Sequence, residues 1–79
     1  MQSFQERRRP LDTGQPSIRH IQELIRHKTP VAIQVLNSPH EYEGVLRWQD
    51  SFYLALSQGD DRPLTLINRE TATVIRALV

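Results

Sequence analysis

Three histidines, two alternating glutamates, a scatter of serines and a strongly basic N-terminal third are the features of this 79-residue chain that could carry chemistry. His20 and His27 stand seven positions apart, which on a helix gives one face but nearly two turns of separation. That is a poor zinc pair, and with no cysteine in the sequence and His40 far away no metal site is expected. Glu41 and Glu43 would share a strand face, yet nothing around them offers a base with its orienting partner. Ser17, Ser38, Ser51 and Ser57 lack a histidine–aspartate pattern, and Asp60–Asp61 suits a hairpin tip. Gly14, Gly44 and Gly59 lie too far apart to cradle a phosphate. The reading is therefore no enzyme and no cofactor.

Binding chemistry is better supplied. Residues 1–28 hold Arg7, Arg8, Arg9, Arg19, Arg26 and Lys28 against Glu6, Asp12 and Glu23, a balance of +3 within a whole-chain charge of +1. The remainder is therefore −2. Repeated around an assembly of identical subunits, this asymmetry makes a basic rim that attracts polyanions. Among the aromatics, Trp48 is expected in the core. Phe52 and Tyr53 must point to opposite faces, so one is expected inside and the other at a surface or subunit contact.

The elements that position these groups follow from periodicity. Residues 1–14 are polar and basic and read as a disordered arm, and 15–79 as one folded domain. Pro16 suits the first turn of a helix, and Ile18, Ile21, Leu24 and Ile25 give it an apolar face. His27 and Lys28 fall in its last turn, and Pro30 closes it. Five strands follow: Val31–Asn37, Glu41–Gln49, Phe52–Ser57, Pro63–Asn68 and Thr71–Leu78. In the second, Tyr42, Gly44, Leu46 and Trp48 alternate on one face, and the lone glycine marks a bend. The class is mainly β with one N-terminal helix, a five-stranded, strongly bent antiparallel barrel; this class includes SH3-like, OB and Sm-like folds, which strand counting does not separate. A domain this small, without disulfides or metal, is expected to self-associate. No targeting segment or membrane-spanning run is seen in the sequence, so no membrane insertion and a cytoplasmic location are expected.

The helix, the junction Lys28–Thr29–Pro30–Val31, the stretch Glu43–Asp50 (EGVLRWQD) and the FYLAL strand together resemble the Hfq branch of the Sm-like superfamily over about residues 15–78. PSIRHIQELIRHKTPV and RWQD look most like its cyanobacterial subgroup. The resemblance implies an Sm-like fold, a homohexameric ring closed by pairing strands four and five of neighbours, and RNA binding. It maps the RNA contacts to Ser17, Phe52, Asn68 and Arg69 on the helix-bearing face, to Gln34 on the opposite face, and to Arg26 and Lys28 on the rim. This sequence departs from the family pattern in several places. Asn68–Arg69–Glu70 replaces a motif that ends in lysine–histidine, Ser17 and Ser51 stand where glutamines are usual, and Ile25 replaces a rim arginine. Gln34 replaces an aromatic, and the turn Asn37–His40 has an extra residue. Two functions are therefore expected to compete. One is an RNA-binding ring in post-transcriptional regulation with a degraded U-rich site. The other is a ring that acts mainly through a protein partner and binds RNA weakly.

Overall fold

A computed structural model of the protein describes residues 11–79, so the arginine run Arg7–Arg9 lies outside the described residues. Helix α1 (Pro16–Arg26) precedes strands β1 (Pro30–Val35), β2 (Glu41–Gln49), β3 (Tyr53–Ser57), β4 (Thr65–Asn68) and β5 (Ala72–Ala77). Pro16 opens the helix without a side-chain cap. Ile18, Ile21 and Leu24 are buried against the sheet, as their spacing requires.

The helix ends at Arg26, two residues before its expected end at Lys28. The Thr29 N–H bonds back to the Leu24 carbonyl and the Lys28 N–H to that of Ile25. Lys28 sits at φ 54, in the left-handed region. This is a Schellman closure with lysine where glycine is the relaxed residue. Lys28→Gly should therefore stabilise the fold by roughly 0.5–1 kcal/mol in urea titration. A loss of stability would show that the lysine stem packs usefully.

All strand pairs are antiparallel, in the order β4-β3-β2-β1-β5. Strand β2 is the spine. Its first half pairs with β1 (Val31 opposite Gly44) and its second half with β3 (Val45 opposite Ser57). Gly44 stands where the pairing passes from one neighbour to the other, with the Ser57 backbone where a side chain would begin. The concave face and the helix enclose Ile21, Leu24, Val31, Ile33, Leu46, Leu54, Leu56 and Ile67. Ala32 and Ala55 point the other way and are still fully buried. Ala32 is covered by its cross-strand neighbours Glu43 and Arg76, and Ala55 by Trp48 and Leu66.

Three expectations need correction. The sheet is strongly bent but does not close on itself, because β4 and β5 are its two ends and do not pair. Trp48 is not in the core. A bulge between Leu46 and Trp48 breaks the alternation, leaving Leu46 buried and Trp48 42% exposed on the outer face. Neither Phe52 nor Tyr53 is internal either: they are 46% and 40% exposed. Phe52 precedes the strand and belongs to the β2–β3 turn, so strand alternation does not govern it.

Candidate functional site

A polar network joins the helix to the loops that follow β2 and β4. Gln49, at the end of β2, is its centre. Its side-chain amide donates to the Ile18 carbonyl at 3.3 Å and to Gln22 Oε1 at 2.7 Å. Its Oε1 accepts from Arg69 Nη1 at 3.0 Å, and the same nitrogen also donates to the Asp50 carbonyl at 3.2 Å. The Arg69 backbone N–H donates to the Phe52 carbonyl at 2.8 Å, which brings the β2–β3 and β4–β5 loops together. Partial burial lowers the Arg69 pKa and the Asp50 charge opposes that shift. The guanidinium stays protonated at any physiological pH.

Asp50 organises the first of these loops. Its carboxylate accepts the N–H groups of Tyr53 at 2.7 Å and Phe52 at 2.9 Å. These two bonds hold the carboxyl below its ordinary range. The ordering they give the turn is therefore present above the ordinary carboxylate pKa and fades as pH falls through the lower, folded value. Asn68 does the same for the second loop, accepting the Glu70 N–H at 2.8 Å. The Glu70 side chain is exposed and has no hydrogen-bond partner among the described residues.

The sequence-expected contacts fall into separate places. Phe52, Asn68 and Arg69 are brought together, since Tyr53 pairs with Asn68 and Arg69 bonds to Phe52. Arg69, however, turns its guanidinium inward toward Gln49 rather than presenting it freely. Ser17 lies in a groove of about 230 Å³ between the helix and β5, with His20, Ile21, Leu24, Ala72, Thr73 and Ile75. Gln34 is exposed on β1, between Glu41 and Val74 of the flanking strands. Arg26 and Lys28 are exposed at the helix C-terminus, and Arg26 is held at 2.8 Å by Glu23. That pair is solvent-exposed, so exchanging the carboxylate for a phosphate costs little.

Gln22 and Gln49 are the residues that sequence reasoning missed as a pair. They are 27 positions apart, and only the fold brings them together. Gln49→Ala removes three hydrogen bonds and leaves Arg69 partly buried with one acceptor fewer. The expected loss is about 1–2 kcal/mol, read from the urea midpoint. A midpoint within error of the parent would show that water replaces the amide without penalty.

Among the described residues no group of three or more His, Cys, Asp or Glu could hold a metal. No helix there is long and apolar enough to cross a membrane. The arrangement offers a surface for binding: exposed Phe52 and Tyr53 over loops tied together by the Gln49–Arg69 network.

Comparison with known proteins agrees with this architecture. Residues 15–77 match the model of the family described as "Hfq related". A crystal structure of the pleiotropic translational regulator Hfq superposes with a TM-score of 0.71. It shares 15% identity, and the match covers 85% of this chain and 97% of that one. No curated protein matches the sequence.

Proposed function

The chain belongs to the Hfq-related family, and on that premise we propose that it is a ring-forming, RNA-binding protein of post-transcriptional regulation whose U-rich site is degraded. The observation that carries the ring is the pair of unused sheet edges. β4 and β5 end the sheet, and Leu66 and Val74 on them are 50% and 43% exposed. Pairing the β4 of one subunit with the β5 of the next removes both edges and covers these side chains. Six subunits, a cytoplasmic location and the cyanobacterial affinity suggested by RWQD belong to the same proposal.

The degraded site rests on Arg69 and Glu70. The one cation of the Asn68–Glu70 loop is drawn toward Gln49 and Asp50, and the neighbouring carboxylate is free. A phosphate placed there meets repulsion before attraction. Glu70 also favours the second reading, a ring working through a protein partner with weak RNA affinity.

Binding of U-rich and A-rich RNA oligomers, titrated with salt, separates the two. The U-rich oligomer should bind poorly, and Glu70→His should raise its affinity by roughly tenfold, the effect of replacing a repulsive charge near phosphate by a donor. Tight U-tract binding by the unmodified protein would refute the degraded site. Failure of both oligomers to bind at low salt would leave the protein-partner reading standing.

A further inference from the structure

The described residues contain seven arginines and lysines, and three are engaged: Arg26 with Glu23, Arg69 with Gln49 and Asp50, and Arg76 with Glu41. The side chains of Arg19, Lys28, Arg47 and Arg62 have no hydrogen-bond or ion-pair partner among the described residues. Three of these four line one continuous depression on the outer face of β2 and β3. One part, about 450 Å³, is lined by Lys28, Val45, Arg47, Ser57, Gly59 and Asp60. The adjoining part, about 530 Å³, shares Arg47, Ser57, Gly59 and Asp60 and adds Trp48, Arg62 and Leu64. Three cations thus face one carboxylate, with an exposed indole beside them.

The β2 bulge makes this grouping possible. In regular alternation Arg47 and Trp48 would point to opposite faces. The extra residue between Leu46 and Trp48 puts both on the outer face, next to each other. Lys28 is held at the rim of the depression by its left-handed backbone. No residue of β4 or β5 lines either part, so pairing those strands in a ring leaves the depression open.

We propose that this depression is a second, sequence-tolerant contact for single-stranded RNA, with a base stacked on Trp48 and flanking phosphates held by Arg47, Arg62 and Lys28. An aromatic face bordered by unpaired cations is the arrangement by which proteins hold single strands without reading sequence. An acidic peptide would satisfy the cations but would leave the indole face without a role. The proposal rests on the RNA-binding reading above, but apart from Lys28 it uses none of the residues assigned there.

Trp48 is the only tryptophan in the chain, so its emission reports the site directly. Short oligo-U and oligo-A RNAs, added to the intact protein at low salt, should both quench it saturably, with similar and modest affinity that falls well short of tight U-tract binding. Trp48→Ala should weaken both by roughly 5- to 150-fold, the range of one lost stack, while Trp48→Phe keeps most of the binding. Removing Arg47 and Arg62 together should lower the slope of log affinity against log salt by about 1.4, and Lys28→Gly by about 0.7. Lys28→Gly is expected to be at least as stable as the parent, and its urea midpoint, measured alongside, separates a binding loss from unfolding. If RNA binds while Trp48 emission stays constant and these variants bind like the parent, the site is wrong and the functional reading stands. If no RNA binds at all, both fail. If poly-glutamate quenches Trp48 and displaces RNA at comparable concentration, the depression is an acidic-protein surface and the proposal is overturned.

Discussion

Gly44→Ala should leave the protein largely unfolded at temperatures where the parent is stable. A Cβ on Gly44 would lie 2.2 Å from the Ser57 carbonyl oxygen and 3.0 Å from its carbon. Those are backbone atoms, and moving them breaks the Val45–Ser57 pairing that joins the two halves of the sheet. Overpacking a core usually costs about 1–3 kcal/mol. Here the neighbour cannot swing away, so about 3 kcal/mol or more is expected. For a domain of this size each kcal/mol lowers Tm by about 4–8 °C, giving a drop well above 10 °C. A melting curve within a few degrees of the parent would mean that β2 can bend elsewhere.

Leu24→Ala should follow closely. Leu24 is 8% exposed and joins the helix to the core residues under the bent sheet. Its removal opens a cavity between two elements rather than within one. The expected cost is about 2–5 kcal/mol, nearer the upper end if the helix cannot settle onto the sheet. Thermal melting with helix content followed separately gives the check. An unchanged Tm would show that the helix contributes little to the protomer, and that Gln49 and the loops hold it in place.

What the sequence made legible was what periodicity encodes. Ile18, Ile21 and Leu24 repeat at helical spacing and are buried together. Five strands are read in the order found, and the lone Gly44 lies in the nine-residue strand that serves both halves of the sheet. Three things were not legible. The bulge beside Arg47 shifts register by one residue with no glycine or proline at it, so simple alternation places Trp48 on the wrong face. Phe52 reads as the start of a strand, yet Asp50 captures its N–H in a turn. The Gln22–Gln49–Arg69 network depends on contacts between distant segments, which local pattern cannot carry. The candidate RNA residues were legible only by resemblance, and the fold gathers just three of them, Phe52, Asn68 and Arg69, at one end of the sheet.

The open edges and the free cations make the same demand on one experiment. Sedimentation velocity of the protein at micromolar concentration, mixed with a labelled single-stranded RNA at low salt, reads assembly and binding together. The account predicts a protein boundary near six times the 9.2 kDa of one chain, with RNA travelling in it and leaving it as salt is raised. A boundary of single chains, with the RNA sedimenting alone, would contradict it.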